Sequence, residues 1–215
     1  MKKALFSLAV GLIMVLGVST TQAHALTWYT DRAAWEAALA GLFSNVDIAG
    51  QVPEYNVLSA GDPLNLADIN SVSFDSDLVG YQVDSSWATW SGGTPAVLFS
   101  SETALNGSFS DSVYAFGFEL EPNPFEVHDI SVCILDDEEG CLVQAVNGDS
   151  GAAFFGWVAD GSEDIDWMDI SSDVNFAFGN IVIANRPEPT VPEPMSMLLL
   201  SGGLAGLAGL KRRKA

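Results

Sequence analysis

The sequence predicts an antiparallel β-sandwich for residues 26–186, jelly-roll-like, with one short N-terminal helix. Two observations lead there. After residue 43, short runs rich in β-branched and aromatic residues recur between clusters of Gly, Asn, Asp, Ser and Pro. They read as nine or ten closely spaced strands. Only one stretch combines helix propensity with helical spacing, Arg32–Leu42. Many strands and one helix make a sheet-on-sheet core. An immunoglobulin-type order is the alternative, because strand order is not written in the pattern. The span is long enough for one domain with a real core.

In chain order, Thr27-Trp28-Tyr29-Thr30 is a strand pattern. Asp31 caps the helix, five alanines supply its propensity, and Trp35, Leu39 and Leu42 fall on one face. Strands are then expected at Val46–Ala49, Ser71–Asp75, Leu78–Val83 and Ala96–Ser100. Val113–Leu120 alternates and is expected to bury one face. Ile130–Leu135 and Leu142–Val146 form a hairpin around an acidic tip. Phe154–Val158, Ile165–Ile170 and Phe176–Ala184 complete the domain, with Trp157 and Trp167 expected in the core.

Charge narrows the partners. Residues 26–192 hold 27 acidic residues and only Arg32 and Arg186 as basic ones, a net of −25. Phosphate contact needs Lys and Arg, so nucleic acid is disfavoured as a partner. A soluble, self-repelling surface is expected instead.

Both ends read as targeting segments. Lys2-Lys3, an apolar run and Ala23-His24-Ala25 make a secretory signal peptide over residues 1–25, cut after Ala25. Export places Cys133 and Cys141 in an oxidising compartment, where an even pair suggests a disulfide. At the other end, residues 187–194 form a Pro-rich linker. Val191-Pro192-Glu193-Pro194 is followed by an uncharged apolar run over residues 195–210 and then Lys211-Arg212-Arg213-Lys214-Ala215. The apolar run would reach about 24 Å as a helix at ~1.5 Å per residue, short of the ~30 Å hydrocarbon core. It is a marginal transmembrane helix, with the basic cluster held on the cytoplasmic side.

This layout resembles the PEP-CTERM sorting signal of Gram-negative bacteria that make exopolysaccharide. The residues that carry the resemblance are Val191, Pro192, Glu193, Pro194, the apolar run, and Lys211, Arg212, Arg213 and Lys214. The resemblance implies export through the translocon, cutting by signal peptidase, and tail removal by an exosortase. It implies an inner-membrane-tethered intermediate, then a place at the cell surface or in the extracellular matrix. Three stretches of the domain are also similar to exported members of that group: Tyr29–Trp35, Ala115–Leu120 and Phe176–Val182. The last has Gly179 where Asp is usual, so any calcium or turn role of that Asp does not transfer.

The motifs of chemistry are sparse. His128 is the sole histidine of the exported part and reads as a surface or strand-end residue. There is no Gly-x-Ser-x-Gly elbow, HExxH or P-loop. Glu102, Glu119, Glu121, Asp164 and Asp166 supply carboxylates for a glycosidase, but nothing selects a facing pair. The chain is therefore expected not to be an enzyme and to require no cofactor. Asp160, Glu163, Asp164 and Asp166 form an acidic loop suited to Ca²⁺, though without EF-hand spacing. Trp87 and Trp90, near Tyr81 in a Ser/Gly-rich segment, are the candidate glycan platform. The expectation is a structural or adhesive protein associated with exopolysaccharide. The alternatives are an exported carbohydrate-active enzyme or a Ca-dependent glycan-binding module.

Overall fold

The computed structural model describes residues 26–67, 70–85, 90–134, 140–149, 151–159 and 165–186. The signal peptide, the linker and the sorting tail lie outside them. Among the described residues no helix is long and apolar enough to cross a membrane.

The strands are β1 (Leu26–Tyr29), β2 (Ser44–Asn45), β3 (Val57–Leu58), β4 (Pro63–Ala67), β5 (Asn70–Phe74), β6 (Leu78–Gln82), β7 (Ala96–Ser100), β8 (Ala104–Val113), β9 (Ala115–Pro122), β10 (Val127–Cys133), β11 (Cys141–Asn147), β12 (Ala153–Ala159), β13 (Ile165–Ser172) and β14 (Phe176–Ala184). They form two antiparallel sheets. The first runs β1-β12-β9-β14-β7-β6-β3, with β2 pairing beside β14. The second runs β11-β10-β13-β8-β5-β4.

The order behind this is a set of nested pairs. β10 pairs with β11, β9 with β12, β8 with β13 and β7 with β14. Successive pairs alternate between the sheets, as when one long hairpin is wound around a core. That is the jelly-roll order, and it sets aside the immunoglobulin-type alternative. The core between the sheets holds Phe116, Phe118, Phe155, Trp157, Phe176 and Phe178, all essentially inaccessible. Phe118 sits at its centre, with ring contacts to Phe116, Phe155, Trp157 and Phe178.

The first sheet is covered on its outer face as well. Helix α1 (Arg32–Ala38), capped by the Asp31 carboxylate accepting from the Ala34 amide, lies across it. Gly117 and Gly156 pair directly across β9 and β12. A Cβ on Gly117 would come within 2.5 Å of the Phe154 ring, and one on Gly156 within 2.9 Å of Trp35. The two glycines make the shallow seat that lets these rings lie against the sheet. Trp35 is buried there and donates its Nε1 to the Trp157 carbonyl at 3.0 Å.

Several expectations are corrected. The helix stops at Ala38 instead of reaching Leu42, because Ala40 and Gly41 adopt φ of 50° and 80°. Leu42 is thereby turned outward, 61% exposed, while Trp35 and Leu39 are buried. Val46–Ala49 is not a strand. Asp47 caps a four-residue turn of helix, α2 (Ile48–Gln51), by accepting from the Gly50 amide, and contact with β14 runs through β2 and one bond from the Val46 amide to the Ile181 carbonyl. β9 buries both faces, since the covering layer turns its outer side chains into a second interior. Trp157 is core, as expected, whereas Trp167 is only half-buried. β3, β4 and β8 are additional strands. β8 alternates in burial, but its Asn, Ser, Asp and Gly residues mask the pattern in sequence.

Candidate functional site

Where the covering layer ends, the outer face of the first sheet opens into a groove. In register, Tyr81 of β6 lies opposite Val97 of β7, and Phe99 of β7 opposite Ala177 of β14. Period-two alternation puts Tyr81, Val97, Phe99 and Ala177 on one outward face. The segment Val52–Asn56 crosses β6 at Gly80. A Cβ there would come within 2.6 Å of the Val52 carbonyl and 2.8 Å of the Pro53 carbonyl, so only glycine admits the crossing. The Tyr55 amide donates to the Gly80 carbonyl at 2.7 Å, and the Gly80 amide to Asn56 at 2.9 Å.

Those bonds hold Tyr55 at φ 63°, a conformation that costs a non-glycine residue about 1–3 kcal/mol. The Tyr55 ring is 70% exposed, yet packs edge-on against Tyr81 at 5.6 Å between centroids. Tyr81 in turn meets Phe99 at 5.9 Å. This aromatic step walls a groove of about 560 Å³ whose remaining polar lining is Glu54, Gln82, Asp84 and Asn123. The hydrogen bond to Glu54, and then its charge, push the Tyr55 phenol above its ordinary 10.0, so the hydroxyl stays protonated. Such a wall can stack on the C–H face of a sugar ring. Carboxylates and amides beside it can accept and donate to hydroxyls.

Trp90 does not belong to an exposed platform. It is only 3% exposed and packs with Val83, Val97 and Ala177, plugging the outer face beside the groove. Trp87 lies outside the described residues. So do Asp160, Glu163 and Asp164 of the acidic loop. Asp166 is exposed and accepts from the Ser112 hydroxyl at 2.6 Å. Among the described residues no group of three or more His, Cys, Asp or Glu is placed to hold a metal ion. Cys133 and Cys141 are joined by a disulfide at the acidic tip of the β10–β11 hairpin. Tyr81 was visible in sequence within the same segment as the two tryptophans. Tyr55 was not, because a tyrosine in a Pro-Glu-Tyr-Asn loop carries no signal of its backbone geometry.

Among the described residues, the other titratable groups singled out by the sequence lie apart, His128 on the second sheet and Glu119 and Glu121 on the first. His128 has its Nδ1 2.9 Å from the Asp173 carboxylate, and its buried Nε2 has no hydrogen-bond partner among the described residues. Glu119 and Glu121 project from the same face of β9 and are 2% and 4% exposed, side by side instead of opposed across a cleft. Glu119 accepts from the Ser91 amide at 3.0 Å and from Asn180 Nδ2 at 2.9 Å, with Arg32 at 3.7 Å. It ties the Trp90 plug, β14 and α1 together.

Residues 190–214 match the family model of the PEP-CTERM protein-sorting motif. The chain carries a PEP-CTERM sorting motif. A PEP-CTERM protein is exported, held at the membrane and processed, with an exosortase as the processing partner. No curated protein matches the chain. Among solved structures, the chain is similar to the module CsCBM6-3 from Clostridium stercorarium in complex with cellobiose, at 8% identity and a TM-score of 0.30. That match covers 62% of this chain and 95% of the other. It is also similar to the CBM22-1–GH10 modules of xylanase 10B from Clostridium thermocellum complexed with xylohexaose, at 13% identity and a TM-score of 0.32. There the match covers 67% of this chain and 28% of that one.

Proposed function

We propose that the exported domain of this PEP-CTERM protein is a non-catalytic surface or matrix module that holds polysaccharide in the Tyr55–Tyr81 groove. The observation that carries the reading is Tyr55 itself: an aromatic side chain kept at positive φ and in solvent, stacked on a second tyrosine, between carboxylate and amide groups. A strained, exposed aromatic residue costs stability and has a rationale if a ligand covers it.

The path of the chain supports display. Ala184, near the end of the described chain, pairs with Ala115, and Arg186 lies over the Tyr114 ring at 4.8 Å. Leu26 pairs with Ala159, whose amide donates to the Tyr114 carbonyl. Both ends of the domain therefore leave from one pole. Ala177 and Phe99 lie toward the other pole, about 24 Å away along β14 at ~3.4 Å per residue. A domain tethered through its C-terminal tail presents the groove away from the membrane.

In this reading the precursor runs as signal peptide 1–25, domain 26–186, linker 187–194 and sorting signal 191–215. The mature domain is placed at the surface or in the matrix of a Gram-negative cell. It works without a resident cofactor. Calcium at Asp160, Glu163, Asp164 and Asp166 would be an accessory to the loop, detectable as a raised melting temperature. The test is affinity electrophoresis of the full chain through gels holding glucan, xylan, chitin, galactan, chitosan or alginate. Retardation by at least one polymer, lost in Tyr81→Ala, is expected. Free migration through all of them sinks the proposal. Release of reducing sugar from the bound polymer would favour the carbohydrate-active enzyme instead.

A further inference from the structure

We propose that β11 is a self-association edge: two copies of the domain pair through it, antiparallel, and join their second sheets into one. The proposal is independent of the groove, and a contrast among the sheet edges carries it. An edge strand leaves half of its backbone groups unpaired, and natural domains blunt such edges with short strands, proline, bulges or charge. Among the described residues, three of the four edges are blunted. β1 has four residues and β3 has two. β4 starts on Pro63, which has no N–H, and carries a register shift between Asn65 and Ala67. Gln51 then occupies both backbone groups of Asn65, accepting from its amide at 2.7 Å and donating to its carbonyl at 2.9 Å.

β11 has none of these devices. Its residues, Cys141-Leu142-Val143-Gln144-Ala145-Val146-Asn147, include no proline and no charge, and they pair with β10 without a register shift. Such a neutral strand is unexpected in a span with 27 acidic residues. Bonds at both ends of the hairpin fix which groups face outward. The Ile134 amide donates to the Gly140 carbonyl, and the Gly148 amide to the Glu126 carbonyl. Antiparallel bonding alternates along the strand. Leu142, Gln144 and Val146 therefore bond to β10, while Val143 and Ala145 turn N–H and C=O to the open side. Among the described residues nothing bonds these groups, and both side chains are exposed.

The strand is complementary to itself. With a twofold axis at Gln144, Val143 of each copy exchanges both hydrogen bonds with Ala145 of the other, so every outward group of these residues is satisfied. On one face the larger valine stands beside the smaller alanine, and on the other Leu142 stands opposite Val146. Gln144 at the axis is turned inward, donating to the Phe154 carbonyl at 2.8 Å, and leaves the edge clear. Two chains that each carry a net charge of −25 can come close only where neither presents a charge. Neutrality and self-complementarity together select a second copy as the occupant.

The experiment is amide hydrogen exchange, read residue by residue by NMR, on the full chain in detergent from micromolar to millimolar concentration. The Val143 and Ala145 amides are expected to exchange about tenfold more slowly at the highest concentration in concentrated salt. The effect should shrink in dilute salt, where the net charge is unscreened. Association of the apolar tails alone would leave these two amides unprotected. Ala145→Pro removes an outward N–H and no ladder bond, so it should keep the native near-ultraviolet circular dichroism and abolish protection at Val143. Val143→Asp leaves the backbone intact and sets like charges beside the axis. It should abolish protection at Ala145, and it decides the matter if the proline variant fails to fold. Exchange at Val143 and Ala145 that does not depend on concentration overturns the proposal. Protection that appears at β1 or β4 instead, or that persists in a folded variant, also overturns it.

Discussion

The two sheets present outer faces of opposite character. That of the first sheet is buried under α1, Phe154 and Trp90, and opens at the Tyr55–Tyr81 groove. That of the second sheet has no covering layer among the described residues, with Val127, Asp129, Ser131, Val143 and Ser171 lining a shallow depression. The difference teaches how the groove arises. A covering layer that stops short leaves a step, and the step is walled by the aromatic residues at its margin. A face with no cover has no step to offer.

The largest expected effect comes from removing the cover. Trp35→Ala should cost about 3–5 kcal/mol, because a fully buried indole and its hydrogen bond are lost together. Denaturant unfolding measures it. Trp90→Ala should lower stability by a similar amount and expose Val97 and Ala177 beside the groove. If either substitution left the denaturation midpoint unchanged, the outer layer would not be a second core. On the open sheet, Cys133→Ser with Cys141→Ser should cost about 2–3 kcal/mol through the freed hairpin loop. Thermal melting under oxidising conditions reads this directly.

How much was legible follows from the same contrast. The strand runs of the two inner faces were readable, because β-branched and aromatic residues recur with turn residues between them. The outer layer was not. Nothing local in Ala115–Leu120 says that a helix 80 residues earlier will cover its second face. The same blindness exchanged the aromatic residues. Trp90, in a Ser/Gly-rich segment, reads either as a glycan platform or as a plug at the end of the sandwich, and it folds down onto Val97 and Ala177. Tyr55 is held out by two backbone hydrogen bonds, from its own amide to the Gly80 carbonyl and from the Gly80 amide to the Asn56 carbonyl, which depend on a glycine 25 positions away. The sorting tail was legible for the opposite reason, since its recognition rests on residue order alone.

Smaller effects sharpen the comparison. Tyr55→Gly removes the ring and relieves the positive φ together, so stability should hold or rise by about 1 kcal/mol while retention by polysaccharide falls. Reduced stability with unchanged retention would make Tyr55 a packing residue. On the open sheet, burial and then the Asp75 charge push the Asp169 carboxyl above its ordinary 3.8. Its ionisation in the folded chain is therefore unfavourable. That cost is fully present at neutral pH and fades as pH falls through the raised folded value toward 3.8. Asp169→Asn should raise the melting temperature by about 1 °C at neutral pH, and by nothing once both states are protonated. A gain that persists in acid would contradict the electrostatic cause.

The four tyrosines allow the central claim to be tested in one spectrum. Tyr55 and Tyr81 wall the groove, whereas Tyr29 packs beside Trp35 on the covered face and Tyr114 lies under Arg186 at the far pole. With tyrosine rings labelled with carbon-13, the full chain would be titrated with the polysaccharide that retards it in the gel. The account predicts that the Tyr55 and Tyr81 signals shift together and saturably while Tyr29 and Tyr114 stay in place. Shifts confined to Tyr114, or equal for all four rings, would contradict it.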